Sequence, residues 1–184
     1  DRKFGKKPQL RDANIASLNH GFDFGANTHA SASIFRIETQ KPVPGRYLDI
    51  NGNKATAYGL IAASEQAGLE LFLGSYPITP ATDILHELAK HKALGVKTVQ
   101  AEDEIAGICT AIGASFAGDL AVTTTSGPGL ALKSEAIGLA VMAELPLVII
   151  DVQRGGPSTG LPTKSEQTDL MQALYGRNGE APIP

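Results

Sequence analysis

The chain has 184 residues, 42% of them hydrophobic, and a formal net charge of −3 at pH 7. These values fit one ordinary globular domain with extra residues, and they give no electrostatic footprint for nucleic acid. The absence of a long apolar run, of a signal peptide and of a second cysteine predicts a cytoplasmic protein without a membrane span, an internal disulfide or its own iron–sulfur cluster.

The first 49 residues differ in character from the rest of the chain. A charged start is followed by a short amphipathic helix from Leu10 to Phe24, and Lys41–Gly45 has the composition of a linker. This arm has no core of its own, so we expect it to pack on the main domain or to belong to an upstream region. The predicted domains are therefore 1–49, an arm or linker, and 50–184.

From residue 50 onward, helices and strands alternate. Asn51 can cap a helix that ends near Gly68, and Thr79 can cap a helix whose first position is Pro80. The other predicted elements are strands at 70–74, 97–101, 119–125 and 145–152, and helices at 105–118, after Gly129 and at 165–175. The apolar strand 145–152 is predicted to be buried on both faces.

This alternation predicts a doubly wound parallel sheet in a three-layer α/β/α domain. Ligands bind such sheets at the carboxyl ends of the strands. The segments 76–80, 102–104, 125–129 and 154–160 each follow a strand. We therefore expect these segments to meet at one edge of the sheet and to form the functional site there.

The helix at 105–118 is unusually rich in small residues. Its larger apolar residues share one face at the helical period, which predicts that this face is buried: Ile105, Ile108, Cys109, Ile112 and Phe116. Cys109 is accordingly expected to be a small buried hydrophobe rather than a nucleophile. The histidines show no spacing typical of metal ligands.

The acids Glu102, Asp103 and Glu104 precede this helix, and complementation of the helix dipole explains the first two. Glu104 is the candidate for chemistry, because a strand ending in Thr-Ser-Gly-Pro-Gly follows the helix. Residues 127–134 are similar to a phosphate loop, but Leu132 stands where the second glycine is required, so we reject a nucleotide triphosphatase. Ser126–Gly129 is either a plain turn or an anion nest at a helix start.

Two further loops remain open between structure and function. Thr79–Pro80 could be only a helix cap. The loop after Arg154 could be a mobile surface segment or a binding loop, since loops rich in glycine and proline between core elements are often functional.

The order glutamate, small-residue helix, strand and Gly-Pro-Gly turn resembles the pyrimidine-binding domain of thiamine diphosphate enzymes. In that family the glutamate hydrogen-bonds the aminopyrimidine ring of the cofactor and helps to activate it. The resemblance assigns this role to Glu104.

Further motifs resemble the alpha subunit of 2-oxoacid:ferredoxin oxidoreductases over roughly residues 50–184. They are Gly52–Gly59, Tyr76-Pro-Ile-Thr-Pro80, Glu102-Asp-Glu104, Thr125–Leu130 and Asp151–Thr163. Ile78 favours the 2-oxoglutarate or general 2-oxoacid branch, because the related indolepyruvate enzymes usually carry glycine there. The arm before residue 50 resembles the end of the gamma region that some members fuse ahead of alpha.

The resemblance implies oxidative decarboxylation of a 2-oxoacid to acyl-CoA and carbon dioxide, with reduction of ferredoxin. A beta subunit would supply the diphosphate site, magnesium and an iron–sulfur cluster. On this chain, Thr79 and Arg154 would bind the substrate and Glu104 would act in catalysis. The pyrimidine half of the cofactor would contact Tyr76, Pro77, Ile78, Glu104, Ser126, Gly127 and Pro128.

The sequence departs from the family in lacking a Gly-Asp-Gly diphosphate motif and in stopping at Pro184, where the family continues. We therefore expect a fragment or a clipped product, truncated at its C-terminus, with a sheet edge left unpaired unless the arm covers it. The alternatives are a non-oxidative thiamine diphosphate synthase or decarboxylase subunit and a non-catalytic interaction domain of the same fold.

Overall fold

The structure is a computed structural model that describes residues 4–29, 33, 35–39, 43–155, 166 and 169–176. The chain divides into two units, Asp1–Tyr47 and Leu48–Pro184. Within the described ranges, no helix is both long enough and apolar enough to cross a membrane.

The first unit contains one helix, α1 (Pro8–Asn27), which is longer than the predicted segment. Pro8 lies in its first turn, where a missing backbone N–H costs no hydrogen bond. None of its residues is buried, and several apolar side chains, including Phe22, are largely exposed.

The second unit is built around a parallel four-stranded sheet in the order β2-β1-β3-β4. The strands are β1 (Leu71–Ser75), β2 (Lys97–Gln100), β3 (Leu120–Thr125) and β4 (Val148–Asp151). The helices are α2 (Gly52–Ala67), α3 (Thr82–Leu88) with a 3-10 turn at Ala89–Leu94, α4 (Glu104–Phe116), α5 (Gly127–Met142) and α6 (Leu170–Tyr175).

Apolar residues pack on both faces of this sheet. The larger core joins α2 and α3 to the sheet through residues such as Ala57, Ile84 and Leu73. On the other face, Ala111 and Ala114 of α4 pack against the sheet at Ala121. The predicted doubly wound, three-layer α/β/α architecture is therefore confirmed.

The caps of α2 are those that the sequence predicts. The side chain of Asn51 accepts a hydrogen bond of 2.9 Å from the backbone N–H of Lys54. Gly68 ends the helix in the left-handed region, at φ 66°, where glycine has no Cβ to clash.

Two predictions about the element ends are wrong. Thr79 does not cap α3, because that helix begins at Thr82, after Ala81, and makes no side-chain cap hydrogen bond. The apolar run 145–152 forms only the short strand β4, which is an edge of the described sheet and leaves Val148 39% exposed. Periodicity detects an apolar segment but not the number of neighbouring strands that cover it.

The burial of α4 agrees with the prediction only in part, because Ile108 is fully buried and Ile112 half-buried but the other three predicted residues are exposed. Cys109 is exposed, as are Ile105 and Phe116, the latter 81% exposed. The face that the helix buries consists, apart from Glu104 and Ile108, of small residues, which include Gly107, Ala111 and Ala114. Small side chains allow a closer approach to the sheet than the branched side chains on the opposite face would allow.

One close contact of α4 with the sheet is at Gly74 of β1. A Cβ atom added there would lie 2.3 Å from Oγ1 of Thr110 and 2.6 Å from the carbonyl oxygen of Gly107. A Cβ on Gly107 would in turn lie 3.2 Å from Cα of Ser75. The glycines therefore allow α4 to lie directly on the backbone of β1.

We expect Gly74→Ala to destabilise the fold by about 1–3 kcal/mol, because the new methyl group must displace the α4 backbone. Gly113→Ala is the matched control, since a Cβ there meets nothing within 4 Å and alanine favours the helix by roughly 0.5–1 kcal/mol. Urea denaturation of both variants tests the contact. Equal stability of Gly74→Ala and wild type would show that α4 is not held against β1.

Candidate active site

The sheet changes its winding direction between β1 and β3. The chain passes from β1 to β2 on one side and then returns to place β3 on the other side of β1. Crevices at such points, outside the carboxyl ends of the strands, are the usual ligand sites of open α/β sheets. The segments that follow β1, β2 and β3 lie at this edge, as the sequence predicts.

Glu104 is the first residue of α4 and is buried, with 7% of its surface exposed. Its neighbour Asp103 is the N-cap and accepts a hydrogen bond of 2.7 Å from the backbone N–H of Ala106. Glu102 is exposed. The three consecutive acids therefore have different environments, and only Glu104 faces the protein interior.

The Glu104 side chain lies against the first turn of α5. A Cβ atom added to Gly129 would be 2.8 Å from Cγ of Glu104 and 3.2 Å from its Oε1, and 2.1 Å from Oγ1 of Thr125. A side chain at position 129 would thus occupy the place of the glutamate. Among the described residues, none donates a hydrogen bond to the Glu104 carboxylate, so its oxygens are available to a ligand.

Lys133 of α5 lies close to Glu104, and no role for it was predicted from the sequence. It is fully buried, and its Nζ donates hydrogen bonds to the backbone oxygen of Glu104 (3.1 Å) and to Oγ1 of Thr123 (2.9 Å). Burial lowers the pKa of Lys133 to about 8, and the negative charges of Glu104 and Asp103 oppose this shift.

Ser126 is the N-cap residue of α5, but its hydroxyl does not cap the helix. The side chain is fully buried, and its Oγ has no hydrogen-bond partner among the described residues. An N-cap serine normally accepts a hydrogen bond from the first turn. The free hydroxyl and the start of α5, with Gly127 and buried Pro128, therefore offer polar groups to a ligand at this edge.

Arg154 and Thr79 are brought together although 75 positions separate them in the chain. Nη1 of Arg154 donates a hydrogen bond of 3.1 Å to the backbone oxygen of Thr79, whereas Nε is buried without a partner in the described part of the chain. Asn53 holds the adjacent residue by donating to the oxygen of Pro80 at 2.8 Å. Thr79 itself is exposed.

The start of the segment after β1 runs along α4. A Cβ on Gly107 would lie 3.3 Å from the backbone nitrogen of Tyr76, which places this residue against the helix that carries Glu104. Tyr76 and Pro77 are half-buried and Ile78 is buried. The remainder of the loop after Gly155, which the sequence singled out as far as Gly160, lies outside the described residues.

A carboxyl pair, Asp151 and Asp169, follows β4. Burial and a hydrogen bond that protonated Asp151 donates to Asp169 raise the pKa of Asp151 to about 7, and accepting that hydrogen bond lowers the pKa of Asp169. Asp151 Oδ1 and Asp169 Oδ2 have no other partner within the described ranges, so a proton shared by the two carboxyl groups satisfies them. Gln153 donates to Asp169 Oδ1 at 2.7 Å.

A cavity of about 340 Å³ lies between α5, β4 and α6. Its lining is mostly apolar, with Asp151 as an acidic residue, and it contains none of the predicted site residues. Hydrogen bonding and buried polar groups identify the carboxyl edge between β1 and β3 as the better candidate for chemistry.

The pattern of α5 contained a signal for Lys133. The positions that the helix buries include Leu130, Lys133, Ala136 and Ala140, which follow one another at helical spacing. A lysine within the buried period of an apolar helix indicates a polar partner below it. Asp169 carried no comparable signal, because its partner Asp151 comes from a distant strand.

A family model described as "Pyruvate flavodoxin/ferredoxin oxidoreductase, thiamine diP-bdg" matches residues 63–183. The chain is 60% identical over 98% of its length to 2-oxoglutarate oxidoreductase subunit KorA of Mycobacterium tuberculosis, and it covers 28% of that protein. It is 49% identical over 73% of its length to 2-oxoglutarate synthase subunit KorA of Archaeoglobus fulgidus, of which it covers 38%. It thus spans about a third of the length of these curated relatives.

Among solved structures, the chain resembles the 2-oxoglutarate:ferredoxin oxidoreductase from Magnetococcus marinus, which has 2-oxoglutarate, coenzyme A and succinyl-CoA bound. The TM-score is 0.67 at 44% sequence identity, and the match covers 98% of this chain and 31% of that one.

The carboxyl pair predicts a pH dependence of stability. A raised pKa means that protonated Asp151 favours the folded state, so this contribution is present below about pH 4 and is lost as the pH rises through about 7. Asp151→Asn keeps a donor toward Asp169 at every pH. We expect the melting temperature of this variant, relative to that of wild type, to rise by several degrees between pH 5 and pH 8.

Glu135→Gln, which removes an exposed carboxylate from α5, is the control and should run parallel to wild type over the same range. If the difference between Asp151→Asn and wild type were the same at both pH values, the two carboxyl groups would not share a proton.

Proposed function

Because this chain belongs to the pyruvate flavodoxin/ferredoxin oxidoreductase family and matches its thiamine diphosphate-binding domain, we propose that it is part of a 2-oxoacid:ferredoxin oxidoreductase. The reaction is oxidative decarboxylation of a 2-oxoacid to acyl-CoA and carbon dioxide, with reduction of ferredoxin. We propose 2-oxoglutarate as the substrate, since relatives that are 49–60% identical carry that name and Ile78 fits that branch.

One observation carries the proposal: a largely buried glutamate stands at the point where the sheet changes its winding direction. Glu104 is held at the start of α4, against Gly129 of α5, with no donor to its carboxylate among the described residues. A largely buried glutamate whose carboxylate accepts no hydrogen bond from the described residues has no evident structural role. A ligand that presents an N–H group or a protonated ring nitrogen would satisfy it.

The residues around Glu104 fit the pyrimidine half of thiamine diphosphate. The small residues Gly107 and Gly129 allow the backbone of α4 and of α5 to approach, and the free hydroxyl of Ser126 adds a polar group. When bound, this cofactor supplies the carbanion-stabilising chemistry that cleavage beside a 2-oxo group requires.

The chain's own residues have distinct tasks in this proposal. The Glu104 carboxylate holds and releases the proton that it shares with the pyrimidine ring, which is general acid–base work. Tyr76, Pro77 and Ile78 would contact the pyrimidine half of the cofactor and limit the access of water, as would Ser126, Gly127 and Pro128 at the start of α5. The burial of these groups strengthens the hydrogen bond at Glu104.

Arg154 is the proposed partner of the substrate carboxylate, and Thr79 adds a hydroxyl. Nη1 of Arg154 is anchored on the Thr79 backbone, which leaves the buried Nε as an unused donor. Guanidinium groups recognise carboxylates through several parallel donors, which an ammonium group does not offer.

The proposal requires partners. No Gly-Asp-Gly motif occurs in the printed sequence, so the diphosphate, magnesium and an iron–sulfur cluster are assigned to a beta subunit. The face of α4 opposite the sheet exposes Ile105, Cys109 and Phe116, an apolar surface of the kind that protein partners cover. A gamma region, ferredoxin and coenzyme A complete the proposed assembly.

Two other functions share some of these features. A non-oxidative thiamine diphosphate synthase or decarboxylase would share the glutamate, but it would not account for the family match over residues 63–183. A non-catalytic interaction domain would not need a buried Glu104. Co-expression with a beta subunit and assay of 2-oxoacid-dependent viologen reduction separates the three, because only the oxidoreductase passes electrons to the dye.

In the assembled enzyme, we expect Glu104→Gln to lower turnover about 10²–10⁴-fold, since an amide cannot hold or release the proton. The fold should persist, because the backbone oxygen that accepts from Lys133 is unchanged. Glu102→Gln is the matched control from the same acidic stretch and should retain wild-type turnover, as the residue is exposed. Near-normal decarboxylation by Glu104→Gln would remove this residue from the active site.

Arg154→Lys should raise the KM for every 2-oxoacid by roughly 10–100-fold, as expected for loss of a charged hydrogen bond worth about 1.5–3 kcal/mol. Calorimetry should show unchanged cofactor binding. Thr79→Val is the companion variant, because it removes only the hydroxyl and keeps the backbone oxygen that anchors the arginine. Unchanged KM values in Arg154→Lys would assign this residue to the fold alone.

A further inference from the structure

Lys133 is a charged residue in a place where a globular domain has no structural need for one. It lies within α5, which otherwise buries apolar or small residues such as Leu130, Ala136 and Ala140. Its side chain is fully buried. Taking an ammonium group out of water is costly unless it is paired and hydrogen-bonded, and a methionine of similar length would fill the same space without this cost.

The surroundings of Nζ explain what the ammonium group does. It donates to the backbone oxygen of Glu104 at 3.1 Å and to Oγ1 of Thr123 at 2.9 Å, and so joins the start of α4 to β3. Gly129 precedes Lys133 by one helical turn and contacts the Glu104 side chain. The same face of α5 therefore touches both the backbone and the side chain of the candidate catalytic glutamate.

We propose that Lys133 is a positioning residue for Glu104: it fixes the first residue of α4 by a hydrogen bond and places a buried positive charge beside the Glu104 carboxylate. The proposal rests on the function proposed for Glu104 and deepens it. Lys133 does not need to contact substrate or cofactor for this role.

The titratable groups that face Lys133 come from α4 and its N-cap. They are Glu104, Asp103 and the thiol of Cys109, whereas β3 contributes only the neutral hydroxyl of Thr123. Because burial leaves the pKa of Lys133 at about 8, the side chain is still largely protonated at pH 7. A positive charge in a poorly solvated place favours the ionised form of a nearby carboxylate.

The proposal combines two effects that substitutions can separate. Thr123→Val removes one hydrogen bond from Nζ but keeps the charge. Lys133→Met removes both the charge and the hydrogen bonds at nearly constant volume, and Lys133→Arg keeps the charge with altered geometry. Lys92→Met removes an exposed lysine from the same unit and serves as the control.

The experiment uses the assembled enzyme and compares these variants with wild type and with Glu104→Gln. The pH dependence of kcat is measured first. Lys133→Met should lower kcat by up to about 100-fold, in line with a misplaced catalytic group. The acid limb of its kcat–pH profile should move to higher pH, because the positive charge that favours the ionised Glu104 carboxylate is absent. Thr123→Val should lower kcat without moving the acid limb, and Lys92→Met should match wild type.

A second readout does not depend on turnover. Calorimetry of thiamine diphosphate binding in the presence of magnesium, in buffers of different ionisation enthalpy, gives the number of protons exchanged. Lys133→Met should change this number in the wild-type background but not in the Glu104→Gln background. The effects of substituting two interacting residues are non-additive in this way, whereas the effects at independent sites add.

The outcomes are distinguishable. The role of Lys133 would be overturned, with the proposed function intact, if Lys133→Met moved neither the acid limb nor the number of protons exchanged. It would also be overturned if Lys133→Met changed the number of protons equally in the wild-type and Glu104→Gln backgrounds. Near-normal turnover of Glu104→Gln would instead overturn the proposed function. If Lys133→Met did not assemble, Lys133→Arg and Thr123→Val would still test the proposal, because both keep the positive charge. A shift of the acid limb in Thr123→Val, or a shift to higher pH in Lys133→Arg, would contradict the proposal.

Discussion

The structure of the second unit depends on how closely α4 approaches β1 and α5. The approach is possible because Gly74 and Gly107 have no side chains at the crossing with β1, and because Gly129 leaves room for the Glu104 side chain. A single Cβ at Gly74 or Gly129 would lie within 2.3 Å of a neighbouring oxygen. Interiors packed at crystal-like density cannot absorb such overlaps without moving a backbone. The position of the carboxylate is therefore a result of backbone packing, and the catalytic geometry and the stability of the fold depend on the same contact.

The central strands change in polarity along their length. β1 begins with buried Leu71 and Leu73 and ends with Ser75, and β3 passes from Ala121 and Val122 to three consecutive buried threonines. These hydroxyls are used: Ser75 Oγ donates to the oxygen of Thr124 at 2.8 Å, and Thr123 accepts from Lys133. Buried polar groups remain stable only when they are hydrogen-bonded. The apolar half of the sheet thus holds the domain together, and the polar half prepares the carboxyl edge for a charged or polar ligand.

The outer surface of α4 shows the same division between fold and function. Large apolar residues such as Ile105 and Phe116 point away from the sheet, and β4 ends the described sheet with an exposed Val148. Both features agree with a chain that spans only about a third of the length of its relatives. In this domain small residues form much of the contact between α4 and the sheet, and large apolar residues remain on the surface. Exposed apolar area contributes to stability only when another surface covers it, so these residues are suited to contact a neighbour.

The sequence by itself determined the alternation of elements, the parallel sheet, the caps at Asn51 and Gly68, and the candidate Glu104, since these depend on local spacing and on motif order. It did not determine which face of α4 is buried, so the prediction for Cys109 was wrong. The predictions for Thr79 and for the strand at 145–152 were wrong because the start of α3 and the burial of β4 depend on neighbouring elements. Burial depends on the residues that pack against the helix: Gly74 of β1 precedes α4 by 30 residues in the chain, yet it lies in contact with Gly107 and Thr110 of α4 and permits this close approach. The pairings of Lys133 with Glu104 and of Asp151 with Asp169 likewise exist only after folding, because each joins groups from separate elements whose distance no local pattern encodes.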